Sequence, residues 1–285
     1  MAQQISAKAT IEQAGRQAEQ MARSAVQSPW VEWLARFGYA ARGVVYAFVG
    51  YLALQAAFGS GGRTTGAQGA IQEMARQSQV LLGFVAFGLF GYALWRFVQA
   101  VLDPENKGDD PKGLVQRGSM LASGIVYGSL AIAAVKMISG SGAAGGDGTQ
   151  GATASVLDKP FGAVLVGIAG LAVIVGGLFQ IKSGWTKKFR DKLKLQEMSP
   201  GEQTWMTHAG QFGLISRGVV FLLTGFFLIQ AALQSDPSEA RGLGGALQTL
   251  ASQPYGPWLL AVAALGLIAF GVYSVLVARY RRIVF

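Results

Sequence analysis

The chain has 285 residues, 51% hydrophobic and only 14% charged, against roughly 25% charged in an ordinary soluble domain. It contains no cysteine, which removes disulfides, thiolate catalysis and cysteine metal sites together. Its net charge of +9 has the sign that suits nucleic acid, but no aromatic-basic interleaving accompanies it, so no nucleic-acid partner is expected.

Residues 1–32 read as an N-terminal cytoplasmic segment, amphipathic or disordered. The first 28 lack the apolar core of a signal peptide. Glu12/Arg16 and Glu19/Arg23 stand at i,i+4 spacing, with a weak apolar stripe of Ile5, Ile11, Met21 and Val26. A helix on the membrane surface is favoured, ending at Ser28-Pro29-Trp30, with Trp30 and Trp33 suited to the interface.

Uncharged runs then predict six transmembrane helices, near 37–58, 80–102, 118–138, 161–181, 212–234 and 257–278. Each is close to the ~17–25 residues a crossing helix needs. They divide into repeat one (33–103), repeat two (113–184), a basic cytoplasmic linker (185–204) and repeat three (205–282). Gly-rich loops join the two helices of each repeat and echo one another: Gln68-Gly69-Ala70-Ile71, Gln150-Gly151-Ala152-Thr153 and Gly244-Gly245-Ala246-Leu247. In repeats one and three a short amphipathic stretch follows, predicted as a small extracytoplasmic surface helix. Seventeen Lys and Arg residues lie on the side of the termini, against four (Arg63, Arg76, Lys159 and Arg241) on the other. That bias predicts a multi-pass bacterial inner (plasma) membrane protein with both termini cytoplasmic.

The first helix of each repeat carries one phrase: Gly38-Tyr39-Ala40-Ala41-Arg42-Gly43-Val44-Val45-Tyr46, Ser119-Met120-Leu121-Ala122-Ser123-Gly124-Ile125-Val126-Tyr127, and Gly213-Leu214-Ile215-Ser216-Arg217-Gly218-Val219-Val220-Phe221. Two crossings per repeat make the repeats parallel, related by a pseudo-threefold axis along the membrane normal. The fold class is an all-α membrane protein of six helices in three such repeats.

Arg42 and Arg217 lie about 9 Å inside the cytoplasmic boundary, and no Asp or Glu falls within the six spans. One reading has both arginines reach back to lipid phosphates. The sharper reading turns them toward the axis with Ser123 as an anion pocket, Tyr46 and Phe221 each supplying a ring face one turn above its arginine. A second ring of Gln55, Lys136 and Gln230 points roughly 140° away, which counts against a straight water-filled pore.

Nothing else suggests chemistry. His208 has no second ligand nearby in sequence, no zinc-like grouping occurs, and no serine has a base within helical reach. The expectation is no enzyme, no cofactor and no metal.

The Ala-Arg-Gly-Val-Val-Tyr-like phrase at 41–46 and 216–221, Gly-Pro-Trp-Leu-Leu at 256–260, Ala-Leu-Gly-Leu-Ile-Ala-Phe-Gly-Val-Tyr at 264–273 and Ala-Arg-Tyr-Arg-Arg at 278–282 resemble a bacterial integral membrane family known as domain of unknown function 1206. The resemblance covers residues 33–282 and implies three two-helix repeats in a membrane, with no activity attached. Ser123, where the other copies have arginine, breaks a strict threefold ring. The functional expectation is a non-catalytic scaffold or accessory protein that binds anionic lipid headgroups through Arg42 and Arg217, with another membrane complex as a possible partner. The alternative is a channel or facilitator for a small solute or anion along the axis.

Overall fold

A computed structural model describes residues 29–141 and 148–281, so the surface helix expected over 1–28 lies outside the described residues. The chain is a multi-pass, all-α membrane protein. Among the described residues six helices are long and apolar enough to cross a bilayer: α1 (Pro29–Ala57), α3 (Gln79–Leu102), α4 (Pro111–Ile138), α6 (Gly162–Trp185), α7 (Pro200–Gln234) and α9 (Gly256–Tyr280). Each α-helical hairpin is closed by a short helix: α2 (Ala67–Gln77), α5 (Gly148–Leu157) and α8 (Leu243–Ala251). The amphipathic stretches of repeats one and three cap the bundle, with Ile71, Met74 and Leu247 wholly buried beneath them. The middle copy, α5, carries too little amphipathic signal to be read from sequence.

Three helices, α1, α4 and α7, start earlier than hydropathy suggests, and in α4 and α7 caps rather than apolar residues set the start. Asp110 accepts the Gly113 amide at 3.2 Å ahead of Pro111. Ser199 and Glu202 form a reciprocal capping box ahead of Pro200. The box carries α7 about 18 Å outward from residue 212, inside what reads as linker.

The six helices form an incomplete ring in the order α4, α3, α1, α9, α7, α6. The three closest pairings join neighbouring repeats: α1 with α9, α6 with α7, and α3 with α4. Glycines set two of them. Gly43 and Gly271 face each other's backbone carbonyl, and so do Gly218 and Gly177, and Gly225 and Gly170. A common register runs through all three interfaces, since Gly43 meets Val275, Gly218 meets Ile181, and Gly124 meets Phe97. Positions 92, 176 and 270 are therefore equivalent, and so are 96, 180 and 274. Two interfaces also share a cap at the basic end. Arg36 donates to the Ala278 carbonyl at 2.8 Å, and Arg117 to the Ala100 carbonyl at 2.9 Å, neutralising helix C-termini.

Within repeats one and three the two helices also cross closely. A methyl group on Gly38 would lie 2.6 Å from the Tyr92 amide nitrogen, and one on Gly213 would lie 2.5 Å from that of Phe270. Gly88 against Ala41 and Gly266 against Ser216 repeat the fit one turn away. Repeat two breaks it. Ser119 occupies the position of Gly38 and Gly213, Ala172 that of Gly88 and Gly266, and Gly176 that of Tyr92 and Phe270. Two side chains are added where backbones must meet, and the aromatic that filled the crossing is lost. Accordingly α4 and α6 form no packed interface, and only 22% of the apolar stretch of each is buried, against 50–61% for α1, α3 and α9.

Candidate functional site

The missing contact leaves a cavity of about 2010 Å³ between α1, α4, α6 and α7. Its floor carries Arg217, Ser119, Ser123, Tyr46, Tyr127 and Gly176; its middle is walled by small and aliphatic side chains such as Ala122, Val126, Ala169 and Val173. Its mouth, at the hairpin end, is polar, with Arg63, Arg76 and Arg241 among Gln and Thr side chains. Seventeen residues of α7 separate Arg217 from the helix end at Gln234, so the cavity is about 25 Å deep. No residue of the basic-end segments 103–110 or 186–199 lines it. Aromatic pairs close the floor: Tyr46 meets Phe270 edge-on at 4.9 Å, and Tyr92 meets Tyr127 at 4.7 Å.

The two arginines, identical in sequence context, have different surroundings. Arg42 is buried, 8% exposed, and does not line the cavity. Its NH1 donates to the Tyr92 hydroxyl at 2.5 Å and its NH2 to Ser274 Oγ at 3.2 Å. The rings of Tyr39, Tyr92 and Phe270 surround the guanidinium at 5.6, 5.1 and 4.9 Å. The expectation that Arg42 reaches lipid phosphates, or joins Arg217 and Ser123 in one anion pocket, is therefore corrected. Protein acceptors one helix away on either side take its donors first.

Arg217 is half-buried and lines the cavity. Its NH1 donates to Gln180 Oε1 at 2.6 Å, in the equivalent of the Arg42–Ser274 bond. It has no counterpart of the Tyr92 hydroxyl, because Phe270 stands at that position. Its guanidinium instead lies over three rings, Phe221 at 4.2 Å, Phe270 at 4.6 Å and Tyr46 at 4.8 Å. Tyr46 thus stacks with Arg217 across the axis and not with Arg42 on its own helix. Ser123 lines the same cavity, so Arg217, Ser123 and Tyr46 come together and Arg42 stands apart. The second ring does not assemble: Gln55 lines the cavity, Lys136 is exposed, and Gln230 donates to Glu239 at 3.1 Å.

At the third interface the polarity is exchanged. Ser123 stands where the others have arginine, and Arg96 stands where they have Ser274 or Gln180. Arg96 donates to the Tyr92 hydroxyl, from Nε at 2.9 Å and from NH2 at 2.5 Å, and to Gln99 Oε1 at 3.0 Å. Gln99 donates to Glu105 at 2.7 Å, and Glu105 also pairs with Arg281 at 2.7 Å. A hydrogen-bonded chain thus leads from Arg42 to the basic end. There Glu105, though burial opposes its ionisation, is held down to about 2 by Arg281. Sequence analysis gave no site role to Tyr92, Gln180, Phe270 or Ser274, whose place beside the arginines appears only once the helices are packed.

The sequence pattern of the Domain of Unknown Function (DUF1206) matches three times, over 37–103, 118–187 and 212–281. The chain belongs to the DUF1206 family. The three DUF1206 units end at equivalent residues, which gives the same register as the helix interfaces. A relative from Bacillus subtilis (strain 168), named "Uncharacterized protein YxxB", is 36% identical over 255 residues, covering 89% of this chain and 92% of the relative. No solved structure matches the DUF1206 chain.

Proposed function

We propose that the protein is a non-catalytic membrane scaffold or accessory protein that binds an anionic lipid, holding the phosphate at Arg217. The observation carrying this reading is the position of Arg217. It is a cation at membrane depth, with one side-chain hydrogen bond among the described residues, facing a large cavity whose described lining includes a single acid, Glu73. The planar guanidinium of a fixed arginine favours an anion that accepts two parallel hydrogen bonds, such as a phosphate. Glu73 is at the far mouth, within 3.5 Å of Arg76. The proposed setting is the inner membrane with both termini cytoplasmic, so that Arg217 lies at the depth of the cytoplasmic leaflet.

Lipid analysis of the purified protein by native mass spectrometry tests the proposal. Wild type should retain anionic phospholipid over zwitterionic, and Arg217→Ala should lose most of that preference while Arg42→Ala keeps it in whatever fraction folds. Absence of any preference in wild type would rule the proposal out. The second reading, a facilitator, draws on the size and water-facing mouth of the cavity, but the aromatic floor opposes continuous passage. Solute flux in proteoliposomes that depends on Arg217 would favour it.

A further inference from the structure

We infer that repeat two is a lateral portal, through which an anionic phospholipid of the basic-end leaflet seats its phosphate at Arg217 and an acyl chain along the cavity. The inference rests on the anionic-lipid reading and adds the route and the residues that create it. Four observations carry it. First, the ring of helices is broken only between α4 and α6 among the described crossing helices, and both line the cavity. Second, the break follows from three exchanges at equivalent positions: glycine to Ser119, glycine to Ala172 and an aromatic to Gly176. A side chain on Gly176 would meet open space within 4 Å.

Third, Ser119 and Gly176 line the floor together with Arg217, so the opening lies at the level of Arg217 and not at the polar mouth. A headgroup entering by this route descends about 9 Å from the basic-end interface, between α4 and α6, to reach Arg217. Fourth, the cavity exceeds the ~300–1,000 Å³ that small-molecule sites enclose, and its middle is apolar. That combination fits a chain-bearing anion better than a free one. Free phosphate shares the headgroup chemistry but would arrive from water through the mouth, where Arg63, Arg76 and Arg241 would meet it first.

The test restores the pattern of repeats one and three with the triple variant Ser119→Gly, Ala172→Gly, Gly176→Phe, which should close the portal while leaving Arg217 in place. Anionic-lipid retention in nanodiscs should fall at least fivefold in the triple variant, as in Arg217→Ala. In parallel, a bimane label on Ala122→Cys, in a chain free of other cysteines, is exposed to lipids brominated on their chains. Quenching within twofold of that at the outward Leu121→Cys is expected, because Ala122 faces the cavity. This second measurement does not depend on the triple variant folding.

If Arg217→Ala loses lipid, while the triple variant retains it or Ala122 is unquenched, the portal is overturned and the lipid reading stands. If neither variant changes retention, both are overturned. If inorganic phosphate raises the melting temperature equally in wild type and triple variant in wholly zwitterionic nanodiscs, the ligand comes from water and the portal is again overturned.

Discussion

Arg42 and Arg217 lie over the same ring: the guanidinium carbons are 4.9 and 4.6 Å from the centroid of Phe270. Phe270 belongs to the last helix of the chain, yet its ring serves an arginine from the first repeat and one from the third. The ring supplies a π-face to both arginines and a hydroxyl to neither, whereas its counterpart Tyr92 hydrogen-bonds Arg42 directly. The difference of one oxygen atom separates an arginine hydrogen-bonded on two sides from one bonded on a single side, while the Nε of each is buried without a partner among the described residues.

Phe270→Tyr is therefore expected to act as a functional knock-down that keeps the arginine. The added hydroxyl would stand toward Arg217 as the Tyr92 hydroxyl stands toward Arg42. Anionic-lipid retention by native mass spectrometry should fall several-fold with the fold intact by circular dichroism. Unchanged retention would mean that the spare donors of Arg217 do not hold the lipid.

Tyr92→Phe should do the opposite and destabilise without touching the cavity. Arg42 and Arg96 would both lose an acceptor inside the protein, and hydrogen bonds to charged groups contribute about 1.5–3 kcal/mol each. A loss of roughly 3 kcal/mol in unfolding free energy is expected by denaturant titration in detergent. Retention of anionic lipid per folded molecule should stay near wild type.

Two glycines at helix crossings, one in a packed repeat and one in the open repeat, should respond differently to alanine. Gly213→Ala meets the Phe270 backbone at once and should cost about 1–3 kcal/mol through overpacking. Gly176→Ala meets nothing, so the helix propensity of alanine should make it neutral or up to about 1 kcal/mol stabilising. Thermal unfolding of both variants checks the contrast; equal losses would contradict the open crossing in repeat two.

Glu105 gives the protein an acid-sensitive clasp. Its folded pKa of about 2 lies below the ordinary 4.5, through the guanidinium of Arg281 and against the effect of burial. The ionised form is thus favoured in the folded state, and its contribution is complete above pH 4.5. It declines as pH falls from 4.5 toward 2. The full contribution is roughly 3 kcal/mol. Glu105→Gln should lose about that much at neutral pH and flatten the stability profile across this window, measured by unfolding at a series of pH values.

The six spans, their grouping and the parallel arrangement were legible because hydrophobic run length and the repeated phrase report directly on bilayer thickness and symmetry. Arg217 and Ser123 were legible as corresponding positions of that phrase, whereas Tyr46 was expected over Arg42 and lies against Arg217. The fate of Arg42 was not. It depends on a hydroxyl fifty residues away and on Ser274, at the far end of the chain, whose register appears only when the helices are packed. The starts of α4 and α7 were obscured because polar capping residues, which hydropathy ignores, extend helices beyond the membrane. The opening in repeat two was written in Ser119, Ala172 and Gly176, but small-residue exchanges look neutral until backbones are seen to touch.

One of the three closest pairings joins the first crossing helix to the last, so the seam of this ring does not coincide with the ends of the polypeptide. A cut in the stretch between α4 and α6 would divide the molecule into two fragments without severing a packed interface between crossing helices. Residues before the cut hold α1, α3 and α4; those after it hold α6, α7 and α9. The two halves would still meet along α1 and α9, through Gly43 and Gly271 and through Arg36 at the end of α9. Coexpressed as separate chains, they should copurify as a heterodimer.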